Sequence, residues 1–167
     1  LPAEDVSSSK ALERAFRKRG ISFQLGRRFA SLSQTADAAT VTLDDGSELV
    51  ADYVLVAVGR GPVTAGLGYE EAGVVLDRGF VQTDDRLRTA SAHVWAVGDI
   101  VPGLQLAHRG FQQGIFVAEE IAGLSPVLVP DVDVPRVAYS HPEVASVWLT
   151  EAQAQDRYGS EAVKAYE

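Results

Sequence analysis

Residues 92–108, AHVWAVGDIVPGLQLAH, hold the chain's most chemically suggestive spacing. What reads as a short buried strand closes on Gly98 and Asp99, and a helix start is expected within a few residues. A carboxylate only accepts hydrogen bonds, so Asp99 suits a partner that presents hydroxyl donors, such as a sugar or sugar alcohol. Gly98 has no Cβ and lets a ligand approach the backbone. A helix beginning near Leu104 offers unpaired N–H groups and a partial charge of about +0.5. Such a donor set fits a ligand with hydroxyls at one part and an electron-rich, anion-stabilisable ring at another, as a reduced flavin has. Local chemistry also allows a plain turn in which Asp99 caps the next segment.

The elements that must position these residues follow from periodicity. Residues 7–19 form an expected helix, with Leu12 and Phe16 four apart and Gly20 beyond its end. Its Arg14, Arg17, Lys18 and Arg19 read as a solvated face rather than an anion site. Residues 21–25 (ISFQL) and 27–34 alternate as strands. Residues 39–51 form a hairpin turning at Asp45 and Gly46. The run YVLVAVG (53–59) is apolar throughout, with valine at 54, 56 and 58, and predicts a strand buried on both faces, as in a parallel sheet. A loop-rich stretch leads to a second short buried strand at 93–99.

Residues 104–123 are an expected helix ended by Gly123 and Pro126. They carry a stripe of small residues, Ala107, Gly110, Gly114 and Ala118. Interior helical glycines cost about 1 kcal/mol each relative to alanine, so either core packing or a ligand must offset them. Pro126, Pro130 and Pro135 mark a crossing between domains. Two β-rich runs follow, then a helix that Thr150 and Gln153 should open as a capping box. The whole order predicts an α/β chain.

Composition narrows the function classes. Of 167 residues, 46% are hydrophobic and 23% charged, the balance of a soluble globular protein. A formal charge of −8 argues against a nucleic-acid partner. No run of apolar residues is long enough for a membrane span, and no signal peptide is expected. The chain has no cysteine, so it carries no disulfide, zinc–thiolate site or thiol chemistry of its own. It has no methionine either, so Leu1 is not read as a natural start and a piece of a longer protein is expected. Cytoplasm is the default compartment. No two of the three histidines share a face at ligand spacing, so no metal site is expected.

Three segments in order, VLVAVGRGPVT (54–64), HVWAVGDIVPGLQLAHRGFQQG (93–114) and YSHPEVASVWLTE (139–151), closely resemble the flavoprotein disulfide reductases. Leu-Ala-His after the Gly-Asp is similar to the dihydrolipoamide dehydrogenase branch. LPAEDVSSSKALERAFRKRGISFQLG resembles the late part of that family's NAD domain, so the resemblance covers essentially the whole chain. It implies parts of two Rossmann-like dinucleotide-binding domains plus the start of an α+β interface domain. Residues 1–59 would be the C-terminal part of the NAD-binding domain and 60–130 the returning segment of the FAD-binding domain. Residues 131–167 would open the interface (dimerisation) domain.

The resemblance also implies site residues. Asp99, beside Gly98, would hold the ribitol of FAD. Gln105, Leu106, Ala107 and His108 would bring backbone N–H groups to the flavin ring, with a proton-transfer role for the His108 side chain as the alternative. Gly59 and Phe29 would contact NAD. His141-Pro142-Glu143 matches the family's non-catalytic Pro-Glu at the start of the interface domain, and His93 reads as a surface residue. Two departures stand out: the family's Asn is Val63 here, and Trp148 stands where glycine is usual.

There is no Gly-x-Gly-x-x-Gly, no cysteine pair and no spaced His-Glu dyad. The implied whole enzyme is a homodimer that takes electrons from a lipoyl domain and reduces NAD. This chain alone is not expected to catalyse that reaction and contributes no catalytic residue. The alternatives are a sister reductase of the mercuric or glutathione type, or a non-catalytic binding or oligomerisation module.

Overall fold

The computed structural model describes residues 1–166 as two compact units. The smaller is Glu13–Gly59; the larger combines Leu1–Leu12 with Arg60–Glu167. Helix α1 (Val6–Lys18) carries the chain from one into the other. It ends as its sequence requires: Ile21 N–H reaches back to Phe16 O at 3.1 Å and Gly20 N–H to Arg17 O at 3.0 Å. Arg17 pairs with Glu13 at 2.7 Å and lies over the Phe23 ring, so that part of the basic face is tied down locally.

The smaller unit is an antiparallel meander of β1 (Phe29–Gln34), β2 (Ala39–Leu43) and β3 (Glu48–Ala51), in the order β1-β2-β3. The expected hairpin is present, with Val41 opposite Leu49. Asp45 closes its turn by accepting from Ser47 N and Oγ at 3.0 and 2.6 Å. Those bonds, the hydroxyl's first, hold its pKa below the usual carboxylate value.

Two expected strands do not form. Residues 21–25 and 53–59 have no ladder partner, and Tyr53, Leu55 and Val58 are 90% or more exposed. A β-branched run encodes a surface that fits between two layers, and it becomes a strand only when neighbours supply the hydrogen bonds. All paired strands among the described residues are antiparallel.

The larger unit gathers a small core of Val74, Val81, Ala96 and Val101, flanked by Tyr69, Leu76 and Ile100. Part of it comes from a hairpin in what the sequence presents as loop, β4 (Leu76–Asp77) and β5 (Phe80–Val81). Its two turn residues, Arg78 and Gly79, both have positive φ, which matches the right-handed strand twist. Arginine in that first position is what hides the turn, because the usual Asn or Asp is missing.

Residues 93–99 also depart from expectation. Only Trp95 bridges to Arg88; Gly98–Ile100 is one turn of 3₁₀ helix. Helix α2 spans Ala107–Ile121, three residues shorter at its start than the expected 104. Two-stranded β6 (Arg136–Ala138) and β7 (Val144–Ser146) turn through His141 and Pro142. Helix α3 (Glu151–Tyr158) has the capping box: Gln153 N donates to Thr150 Oγ1 at 3.2 Å and Thr150 N to Gln153 Oε1 at 2.9 Å. No helix among the described residues is long and apolar enough to cross a membrane.

Trp148 has φ +73, the left-handed region that a glycine would occupy without strain. Its indole N–H donates to Asp133 at 2.5 Å, and its backbone N–H to Val132 O at 2.9 Å. These bonds offset the departure noted in the sequence.

The last turn of α2 is held by a charged latch. Arg86 and Arg88 donate to the two oxygens of Glu120, and the Arg86 guanidinium lies 4.6 Å over the Phe116 ring. The Arg86 hydrogen bond, then the charges of both arginines, hold Glu120 below its ordinary pKa of 4.5, against the opposing effect of burial. A depressed folded-state pKa contributes stability above the unfolded value and loses it as pH falls through the folded one. Glu120→Gln is therefore expected to lower the unfolding midpoint at neutral pH, with the gap to wild type closing under acid. Thermal melts of both proteins across that range check this; a gap independent of pH would contradict it.

Candidate functional site

The site is built on Gly98. Ala96 and Val101, on either side, are buried at 6% and 1% exposure, so the core grips both ends of the turn. Gly98 sits at φ +77, a backbone conformation that glycine adopts without a Cβ clash. Its N–H donates to Gln113 Oε1 at 2.7 Å, and Gln113 is itself buried. The turn is thus fastened directly to the flank of α2.

A Cβ on Gly110 would come within 3.3 Å of the Gly98 Cα. One of the two interior glycines of α2 therefore has a packing reason. Gly114 does not, since a Cβ there meets nothing within 4 Å. The face that α2 buries is Arg109, Gln113 and Phe116, not the small-residue stripe; Ala107 and Ala118 are exposed. Hydrophobic periodicity passes over this face because two of its three residues are polar. Their spacing of four and three was the available signal.

Asp99 is exposed, and its carboxylate has no hydrogen-bond partner among the described residues. Its backbone carbonyl accepts from Gln105 Nε2 at 3.3 Å, which brings the loop before α2 against the Gly98–Asp99 turn. Leu106 is the N-cap residue, and no side chain caps the helix there. The first-turn N–H groups of Ala107, His108 and Arg109 are therefore left for another acceptor. The His108 ring is engaged at its far end: Nε2 donates to Pro135 O at 2.7 Å. That bond puts a proton on Nε2 and leaves Nδ1 as the free ring atom.

The structure thus brings Gly98, Asp99, Gln105, Leu106, Ala107 and His108 into one seam of the larger unit. Gly59 and Phe29 belong to the smaller unit. Gly59 has φ +122 with open space where a Cβ would stand, and Phe29, which opens β1, is 64% exposed. His141 and Glu143 are exposed in the β6–β7 turn, and His93 is exposed at φ +62. No group of three or more metal-ligating side chains comes together among the described residues.

Residues 1–114 match the family model described as pyridine nucleotide-disulphide oxidoreductase. The chain belongs to that family. It is 36% identical over 160 residues to a dihydrolipoyl dehydrogenase of Bacillus subtilis and 40% identical over 161 residues to one of Mycobacterium tuberculosis. Each match covers 93% of this chain but only 34% and 35% of the relative, so the chain spans about a third of the length of the relatives it matches.

Among solved structures, LpdA of Mycobacterium tuberculosis is similar with a TM-score of 0.86 at 29% identity, over 95% of this chain and 35% of that one. A cysteine-to-serine mutant of a flavoprotein disulfide reductase of Escherichia coli, RclA, in its Cu(II) complex, is similar with a TM-score of 0.84 at 29% identity, over 94% and 36%. These relatives are oxidoreductases of α/β architecture, and FAD and NAD, the cofactors expected from the sequence, are those of the family.

The two helical glycines give a paired prediction. Gly114→Ala is expected to stabilise the protein by about 0.5–1 kcal/mol, the ordinary gain from helix propensity. Gly110→Ala should forfeit most of that gain, because its methyl pushes on the Gly98 backbone. Denaturant unfolding of the two variants checks this; equal gains would contradict the close approach of α2 to Gly98.

Proposed function

We propose that this chain is part of an FAD-dependent dihydrolipoamide dehydrogenase, which oxidises protein-bound dihydrolipoamide and reduces NAD. The observation that carries the reading is the seam itself. Asp99 presents an exposed, unpaired carboxylate beside a glycine turn, and its backbone carbonyl accepts from Gln105, in the loop before the uncapped start of a 15-residue helix. This donor and acceptor set fits FAD. Asp99 would accept from the ribitol hydroxyls, and Gln105 to His108 would present backbone N–H groups to the electron-rich edge of the ring. Gly98 keeps the space beside Asp99 clear.

Bound FAD supplies a two-electron relay between a dithiol and NAD. This chain's part is to bind and orient. The first turn of α2 favours negative charge next to it, so it would stabilise the ring when electrons arrive. His108 would act through its backbone N–H, with its ring steadied by the bond from Nε2 to Pro135 O. Gly59 and Phe29 would touch NAD. With no cysteine in the chain, dithiol exchange must come from elsewhere in the enzyme. The isolated chain should therefore be inactive.

The domain reading follows the same logic: 1–59 from an NAD domain and 60–130 from a FAD domain, both Rossmann-like, and 131–167 from the interface domain of a cytoplasmic homodimer. Likeness to RclA supports a second reading, a sister disulfide reductase. Turnover of dihydrolipoamide with NAD by the full-length protein separates the two.

Asp99→Ala in that full-length protein is expected to release FAD on dialysis, seen as loss of the yellow absorbance. Undiminished FAD content would overturn the assignment.

A further inference from the structure

Arg109 is a charged side chain in the first turn of α2, yet only 7% exposed. Its Nε donates to Asp131 Oδ1 at 2.6 Å and its Nη2 to Pro102 O at 2.8 Å. Asp131 Oδ2 in turn receives the Leu104 N–H at 3.4 Å. The ion pair therefore holds both ends of the short loop that leads into α2. Between them, Gly103 is packed so tightly that a Cβ would overlap Arg109 Nη2 at 2.3 Å and Asp131 Oδ2 at 2.5 Å. Nothing larger than hydrogen fits there unless the pair opens. The neighbouring His108 adds a second tie to the same segment through Pro135 O.

Burying a guanidinium is costly unless a partner satisfies it, and breaking such a pair leaves a stranded charge. Stability alone is a weak reason for such a pair. What it fixes here is geometry: the path of residues 102–106 and hence the direction of the first N–H groups of α2. We propose that the Arg109–Asp131 pair is a positioning clamp that sets the flavin-facing loop and helix start. Both are positioning residues, acting through backbone groups they do not themselves supply. The proposal rests on the flavin reading above.

The test compares FAD-loaded full-length wild type with Arg109→Met, Asp131→Asn and Gly103→Ala. A clamp predicts FAD release about tenfold faster in each, the loss expected when a hydrogen bond to a charged group is removed. It also predicts a changed shape of the flavin visible band and a more negative flavin potential, because loosened N–H donors stabilise the reduced ring less. Arg109→Lys, which keeps the charge without the two-pronged fork, should recover part of the effect.

Asp131→Asn changes shape least and decides the matter if Arg109→Met fails to fold. Unchanged release rate and spectrum in the variants that fold would overturn the clamp, as would a lower unfolding midpoint with both readouts unmoved. Asp99→Ala runs alongside: if it loses FAD while the clamp variants behave as wild type, only the clamp fails. If it retains FAD, the flavin reading fails.

Discussion

The hydrogen bond from Gly98 N–H to the buried Gln113 side chain is the contact on which the seam depends. It closes over 15 residues, joins a turn to a helix flank and leaves Asp99 exposed, its carboxylate without a hydrogen-bond partner among the described residues. Everything nearby serves it. Val101 and Ala96 bury the turn's flanks, Gly110 admits its backbone, and Gln105 reaches back to the Asp99 carbonyl. A side chain at Gly110 would press on the Gly98 backbone, whereas at Gly98 there is room for a Cβ and the cost would lie in the positive φ.

How legible all this is depends on what kind of information a residue carries. Gly98 and Asp99 are legible because their types are unusual at a strand end and their uses are few. The hairpin at 39–51 and the capping box at Thr150 are legible because turns and caps are local, decided within a handful of residues. Gln113, Arg109 and Asp131 escape notice because their partners lie 7 to 27 residues away and their polarity disguises a buried face. The strands expected at 53–59 and 93–99 fail for the opposite reason. Their apolar, valine-bearing composition describes a burial that only neighbouring strands and covering helices can supply.

That unmet burial agrees with the proposed role. Residues 53–58 present Tyr53, Leu55, Val56 and Val58 to solvent, at 71–93% exposure, in a chain that spans about a third of its relatives' length. Apolar surface of that extent is costly to leave in water, at about 25 cal/mol per Å². It is the composition expected of a central parallel strand. The Gly98–Asp99 seam has the same one-sided character: an acceptor and a set of donors that would form one wall of the proposed FAD site.

The central claim is that this wall holds FAD through Asp99. A crystal structure of the full-length protein with FAD bound tests it most directly. An Asp99 carboxylate oxygen should lie about 2.5–3.0 Å from a ribitol hydroxyl, with the start of α2 against the ring. Asp99 turned to solvent, with the ribitol held by other residues, would contradict the account.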